Sequence, residues 1–201
     1  MKYLFFFLFL ISVAANAQNY QQTIAQHREA YKADFLKEER SPLKEADLVN
    51  LDFFKPDSNY RVQAKVSLLN NQKAFKMPTY AGTTADYIRY AKVDFKLNGQ
   101  ALTLTLYRSI ALLQHPQYKD LLFLPFTDET NNKSAYGGGR YIDLDLKTIK
   151  NGQIEIDFNK AYNPYCAYSS GYRCPIPPEE NDLAIAIEAG EKLYKGEKKH
   201  P

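Results

Sequence analysis

Two segments of alternating apolar and polar residues, joined by Asn98-Gly99, constrain the fold of this chain more than any other feature. Apolar residues occupy every second position from 93 to 97 and again from 102 to 106. Such alternation is typical of strands that bury one face. Asn-Gly suits a type I′ turn, because both central residues of that turn need positive φ. The pattern predicts an antiparallel hairpin with strands at roughly 87–97 and 100–108.

The same kind of pattern predicts a sheet around this hairpin. Further strands are predicted at 60–68, 121–126, 140–144, 153–158 and 183–187. The strands at 140–144 and 153–158 are expected to be joined through Asn151-Gly152. Because no long helix separates the strands, we expect antiparallel pairing. The predicted fold class is α+β, mainly antiparallel β, with a sheet that rolls or closes into a small barrel.

An amphipathic helix is predicted before the sheet. From residue 19 to residue 40, apolar residues recur at spacings of three to four and form one face that includes His27. Pro42 disfavours helix in the residue before it, so the helix should end near Arg40. A shorter helical turn is expected at 43–48. We expect the long helix to pack on the rolled sheet.

The first 17 residues have the features of a secretory signal peptide. Lys2 supplies a charged start, an apolar run follows from residue 3 to 13, and Ala15-Asn16-Ala17 is a small-x-small cleavage site. The run is shorter than the ~20 residues of a membrane span, and no transmembrane segment is predicted in the mature chain. The sequence predicts export, to the periplasm if the source is bacterial and otherwise by secretion. Residues 18–201 are then expected to form a single domain.

The composition limits the classes of partner. With 26 Lys and Arg against 23 Asp and Glu, the charge is too balanced for a nucleic-acid footprint. No nucleic-acid partner and no cofactor are predicted. The 16 tyrosines suit either the faces of a half-buried sheet or the wall of a ligand cleft.

A run of three glycines before a charged residue marks one candidate site. Gly137–Gly139 and the following Arg140 are able to present backbone N–H groups and a guanidinium to an anionic ligand. A strand follows the glycines, so they form neither a Walker loop nor a dinucleotide fingerprint. The alternative is a tight entry into the strand, with Arg140 paired to Asp128 or Asp157. The residues predicted to bind ligand are Tyr136, Gly137, Gly138, Gly139, Arg140, Asn163 and Tyr165.

The segment 159–182, called here the Cys-Pro loop, contains two cysteines and four prolines. Seven residues separate Cys166 from Cys174, and an exported chain favours a disulfide between them, worth roughly 2–3 kcal/mol. A metal would need two more ligands, and no histidine lies near the cysteines in sequence, so no metal site is predicted. The tyrosines of this loop form either an aromatic rim for a ligand or contacts among themselves.

Three carboxylates are candidates for acid/base chemistry. Asp128, Asp143 and Asp157 lie in or beside predicted strands, so two of them are able to meet at one end of a barrel. Salt-bridged or solvated carboxylates are the alternative. No serine lies in a nucleophile elbow, which argues against a Ser-His-Asp hydrolase.

The order and spacing of these motifs resemble the DUF1684 family. The resemblance is specific over residues 123–192 and extends more loosely over the rest of the mature chain. It rests on Phe126-Thr127-Asp128, Tyr136-Gly137-Gly138-Gly139-Arg140-Tyr141-Ile142-Asp143, Asp157 to Cys166, Cys174 to Pro178 and Ile187 to Glu191. The family is functionally uncharacterised, so the resemblance implies the location of a site and no reaction.

Together these observations favour an exported protein that binds a small polar or anionic ligand. The pocket is expected between the Gly-rich turn and the Cys-Pro loop. Two alternatives remain open at this point: a carboxylate-dependent hydrolase or lyase, and an envelope protein-interaction module.

Overall fold

The computed structural model describes the backbone of residues 2–200 and the side chains of residues 18–200. The predicted signal peptide lies outside the described side chains and stays a prediction. Within the described residues, no helix combines the length and the hydropathy that a membrane crossing requires.

A curled, mainly antiparallel sheet forms most of the structure. Its strands are β1 (Arg61–Leu68), β2 (Phe75–Pro78), β3 (Thr84–Leu97), β4 (Gln100–Ser109), β5 (Leu121–Asp128), β6 (Arg140–Asp145), β7 (Gln153–Asp157) and β8 (Asp182–Leu183). The strand order is β6-β5-β4-β3-β1-β7, with β2 beside β3 and β8 parallel to β5. The sheet curls into a half-barrel, which confirms the predicted fold class.

The hairpin predicted at Asn98-Gly99 is confirmed. Leu97 pairs with Gln100 across the turn. Asn98 has φ 49° and Gly99 has φ 80°, the positive values that a type I′ turn requires. The register shifts between Arg89 and Ala91, so the residues before and after this bulge bury opposite sides of β3.

The chain connects β6 to β7 through Asn151-Gly152, but the two strands do not pair as expected. They lie at opposite ends of the strand order, and β7 pairs with β1 instead. The eight residue steps from Asp145 to Gln153 span at most about 29 Å. A flat sheet of six strands would need about 24 Å between its edges before any stagger. The short connection is therefore compatible with edges that the curl brings towards each other.

Helix α1 (Lys2–Lys37) precedes the sheet and is packed against it. It ends three residues before the predicted end, and the chain then turns towards Pro42. Ile24 and Phe35 are buried, and the Tyr20 hydroxyl donates to Asp157 Oδ1 at 2.9 Å. The apolar stripe predicted from sequence thus faces the sheet and the Cys-Pro loop.

The remaining helical elements are short. A four-residue helix α2 (Ile110–Leu113) follows β4. The 3-10 helices are Glu45–Asn50, Ser58–Tyr60, Pro116–Tyr118, Leu146–Thr148, Phe158–Lys160, Tyr165–Ala167 and Glu179–Asn181. The first of them replaces the helical turn expected at 43–48.

Two apolar clusters cover the two faces of the sheet. One contains alternate residues of nearly every long strand, such as Leu104, Leu124 and Ile156, and is closed by residues 183–189. The opposite face carries a smaller aromatic cluster that includes Tyr87 and Phe123. Each such side chain contributes roughly 1.5–3 kcal/mol when fully buried. Because both faces are covered, β5 is buried along most of its length rather than alternating.

The Cys-Pro loop is ordered and anchored at both ends. Cys166 and Cys174 are bonded, with their Cα atoms 6.2 Å apart, as predicted. Further along, the buried Asn181 side chain donates to the carbonyls of Thr105 and Pro125 at 2.9 and 2.7 Å. This amide ties the loop to β4 and β5. The strand expected at 183–187 is reduced to β8.

Candidate functional site

Arg140 is buried completely and holds a structural position. Its guanidinium donates to Asp128 Oδ2 at 2.8 Å and to the carbonyl of Ile187 at 2.8 Å. It also donates to the carbonyls of Ala189 and Glu191. The sequence analysis left two alternatives for Arg140, a ligand site and a structural ion pair. An arginine with no exposed surface and this set of acceptors is the ion-paired alternative, with Asp128 as the partner.

The carboxylates Asp128 and Asp157 are likewise used within the fold. Asp128 accepts hydrogen bonds from Thr130 and from the Ile187 amide, at 2.9 and 3.1 Å for the two backbone donors. Asp157 accepts from Tyr20 and from the Asn159 backbone and side chain. With several donors each, both are structural anchors. The predicted meeting of two catalytic carboxylates at one barrel end is not seen for this pair.

Contacts inside the protein surround all three glycines, and Gly139 is the most restricted of them. A Cβ at Gly137 would collide with the Asn132 side chain, and one at Gly138 would collide with the Tyr136 ring. Gly139 has φ 84°, and a Cβ there would lie 2.6 Å from the Phe126 carbonyl. None of the three lines the cavity described below. The glycines let the chain enter β6 closely packed, which fits the tight strand entry that the sequence analysis gave as the alternative to a ligand cradle.

Two more predicted ligand residues also point elsewhere. The Tyr136 hydroxyl donates to the Cys166 carbonyl at 3.4 Å. Asn163 donates its backbone N–H to Glu191 Oε2 at 2.9 Å and its amide to the Lys192 carbonyl at 2.8 Å. Neither residue lines the cavity. Of the predicted ligand-binding residues, Tyr165 is the one that does.

A cavity of 630 Å³ lies between the aromatic face of the sheet, helix α1 and the Cys-Pro loop. We call it the aromatic cavity. Its rings are Tyr31, Phe35, Tyr87, Tyr118, Phe123, Tyr141, Tyr162, Tyr165 and Tyr172. Its charged or titratable side chains, apart from the tyrosines, are His27, Asp34, Asp143, Lys160 and Arg173. Helix α1 contributes positions 27, 30, 31, 34 and 35, the same helical face that the sequence pattern identified.

The rings at the sheet side of the cavity hold one another in place. Phe123 lies 4.8 Å from Tyr141 and 5.6 Å from Tyr87 between ring centroids. Tyr141 meets Tyr162 edge to face at 5.8 Å. Such pairs add about 0.5–1.5 kcal/mol each beyond the burial of their area. The wall is therefore preformed rather than assembled around a ligand.

Asp143 places a carboxylate in this aromatic wall. It is paired with Phe123 in the β5–β6 register, and its side chain is exposed to the cavity. The Tyr162 hydroxyl donates to Asp143 Oδ2 at 2.9 Å. Burial by the surrounding protein raises the pKa of Asp143, and this hydrogen bond opposes the rise. Burial, with a contribution from Asp143, also raises the pKa of Tyr87 to about 12. Of the three predicted acid/base candidates, Asp143 is the one that lines the cavity.

Glu191 is a buried carboxylate directly behind the cavity that the sequence analysis did not identify as a site residue. Tyr31 donates to its Oε2 at 2.9 Å, and Tyr168 donates to its Oε1 at 2.7 Å. The Asn163 backbone N–H donates to Oε2 as well. Burial raises the pKa of Glu191 to about 7, although these hydrogen bonds favour the charged form. Its one sequence signal was its place in the Ile187 to Glu191 motif.

The comparisons with known proteins give a family and a similar fold, and neither match names an activity. A family model described as "Protein of unknown function (DUF1684)" matches residues 46–192. The chain is also similar to an uncharacterized protein of Haloarcula marismortui, whose structure was determined by NMR in solution. The two are 31% identical with a TM-score of 0.68, over 89% of this chain and 96% of that chain. No curated protein matches this chain.

We predict that Asp128→Asn lowers the free energy of unfolding by about 3–5 kcal/mol, because the buried Arg140 charge loses its counterion. Chemical denaturation measures the change. The control is Glu155→Gln, which removes the partner of Arg61 in a pair whose side chains are 35% and 47% exposed. Its expected loss is about 0–1 kcal/mol. Equal losses for the two variants would contradict the structural role of Arg140.

We predict that Glu191 contributes stability that is lost as pH rises from 4.5 to 7. In this range unfolded Glu191 releases its proton while folded Glu191 retains it, so the unfolded state binds fewer protons at this group. The contribution of Glu191 to the free energy of unfolding should decrease by about 3 kcal/mol across the range and level off above it. Glu191→Gln should remove this component, as followed by denaturation at several pH values. Glu188→Gln, at an exposed position nearby, should leave the pH profile unchanged.

Proposed function

The chain belongs to the DUF1684 family, and for this member we propose the binding of a small organic molecule in the aromatic cavity. The volume of 630 Å³ is within the range of about 300–1,000 Å³ that ligand pockets occupy. Apolar rings with a few polar groups among them are the usual lining of such pockets. The observation that carries the proposal is the accessible Asp143 carboxylate within a wall of packed rings.

This proposal keeps one part of the pocket expected from sequence and replaces the other. The Cys-Pro loop forms one side through Tyr165, Tyr172 and Arg173. Helix α1 and the aromatic face of the sheet take the place of the Gly-rich turn. Since Arg140 is engaged inside the fold, the argument for an anionic ligand at that guanidinium no longer applies.

Binding is favoured over hydrolysis or elimination. A carboxylate-dependent mechanism needs two groups that exchange protons with one substrate. Asp128 and Asp157 lie outside the cavity lining and accept hydrogen bonds from structural donors, so Asp143 has neither as a partner in the cavity. Nothing in the described side chains favours an envelope interaction module over a ligand-binding protein.

We predict that Ala30→Trp abolishes ligand binding while the protein stays folded. Ala30 lines the cavity from an exposed position on α1, so an indole there occupies the space and leaves the core unchanged. The matched control is Ala25→Trp, on the same helix and exposed, but outside the cavity lining. The probe is N-phenyl-1-naphthylamine, a neutral dye whose fluorescence rises in apolar surroundings.

Wild type and Ala25→Trp should bind the dye with similar affinity, and Ala30→Trp should bind it at least tenfold more weakly. Thermal melting of all three proteins checks that the fold is retained. Equal dye binding by the two tryptophan variants would show that the cavity is not the binding site.

We also propose that the protein is exported and loses residues 1–17. The charged start, apolar run and Ala15-Asn16-Ala17 site support this, and so does a bonded cysteine pair, which persists in oxidising compartments. Expressed in a bacterial host, the protein should appear in the exported fraction with Gln18 as its first residue, as measured by mass spectrometry. Ala17→Phe should block cleavage, whereas Ala14→Phe, outside the small-x-small positions, should not. A cytoplasmic protein that retains residues 1–17 would contradict the proposal.

A further inference from the structure

We propose that the aromatic cavity takes an organic cation, an amine or ammonium group that binds at Asp143 with its carbon skeleton among the rings. This inference rests on the proposed binding function and adds the chemical class of the ligand. It follows from the charge of Asp143, from the rings beside it and from the position of the basic side chains that line the same cavity.

Few hydrogen-bond donors and no nearby cationic side chain among the described residues compensate the Asp143 carboxylate. An ionised carboxylate offers about four acceptor sites, and the hydroxyl of Tyr162 is the one side-chain donor to Asp143 in the described part of the chain. Among the described side chains, no lysine, arginine or histidine nitrogen lies within 4.0 Å of its oxygens. An ammonium group with up to three N–H donors supplies what this carboxylate lacks.

The rings next to Asp143 suit the same ligand. Phe123 is its partner in the register, Tyr141 lies two residues earlier on the same side of β6, and Tyr162 donates to it. Aromatic faces carry negative electrostatic potential and attract cations, by about 0.5–2 kcal/mol per ring. A carboxylate and several rings around one space are the features by which proteins recognise organic ammonium groups. The same carboxylate and ring faces would repel an anion.

The basic side chains that line the cavity form no ion pair with Asp143. Lys160 and Arg173 lie in the Cys-Pro loop, and His27 lies on α1. Burial, together with the charge of Lys160, lowers the pKa of His27, so its ring is neutral near pH 7. The remaining carboxylate of the lining, Asp34, is engaged by Lys37 at 2.8 Å. The sheet side of the cavity is thus negative, and Asp143 is its charge.

The test compares three probes that share one skeleton: 4-phenylbutylammonium, 4-phenylbutan-1-ol and 4-phenylbutanoate. Their affinities are measured at pH 7 by displacement of N-phenyl-1-naphthylamine and by NMR shifts of the protein. For wild type, the ammonium probe should bind at least tenfold more tightly than the alcohol, and the carboxylate probe more weakly than both. Asp143→Asn should remove the preference for the ammonium and leave the affinity for the alcohol nearly unchanged.

The matched control is Asp145→Asn, which removes the same charge from the same strand at an exposed position outside the cavity lining. It should retain the preference for the ammonium probe. Equal affinity for ammonium and alcohol, or a preference for the carboxylate, would overturn the cation inference while ligand binding itself stands. Failure of all three probes and of the dye to bind would overturn both.

Discussion

A guanidinium withdrawn from water needs acceptors for its charge and its N–H groups, and Arg140 obtains them from several separate segments. Asp128 at the end of β5 supplies the counterion, and the carbonyls of Ile187 and Glu191 supply further acceptors. Asp128 in turn accepts from the Ile187 amide, so the ion pair and the segment 187–191 hold each other. An unpaired charge in this position would cost several kcal/mol, so the loss of either partner destabilises the fold.

The cavity depends on this pair through a chain of contacts. By holding the backbone of Glu191, Arg140 places a carboxylate where Tyr31 and Tyr168 donate to it. Tyr31 belongs to α1, so this hydrogen bond attaches the helix to the segment that contains Glu191, in addition to apolar packing. The attachment lies beside the cavity that Tyr31 lines. A change at Arg140 would therefore affect ligand binding indirectly, through the position of α1.

The local parts of this fold were predictable because their causes are local. Alternating residues around Asn98-Gly99 determine both a strand pattern and a turn conformation, and two nearby cysteines in an export context indicate a disulfide. The pairing of β7 with β1 instead of β6 was not predictable in this way. It depends on the curl of the whole sheet, and Asn151-Gly152 specifies a turn without specifying which strands meet beyond it.

The site was harder to predict because the same residue types occur both in ligand sites and in closely packed backbone. Glycine and arginine side by side suit a ligand cradle, yet the same residues suit a close-packed entry into β6, and sequence alone does not distinguish the two. The walls of the aromatic cavity come from distant parts of the chain, as Tyr31, Phe123 and Tyr162 illustrate. Each looks like an ordinary packed ring in its own segment, so no motif marks the cavity.

The number of hydrogen bonds that each carboxylate accepts distinguishes the structural carboxylates of this fold from the candidate site residue. Asp128, Asp157 and Glu191 each receive three or more hydrogen bonds from described donors. Asp143 receives one, from Tyr162, and faces a preformed space. The sequence analysis gave Asp128, Asp143 and Asp157 equal standing as candidates and did not single out Glu191. Donors within the fold engage the three structural carboxylates, whereas Asp143 keeps acceptor sites directed into an aromatic cavity, where a cation is the partner that best complements a carboxylate.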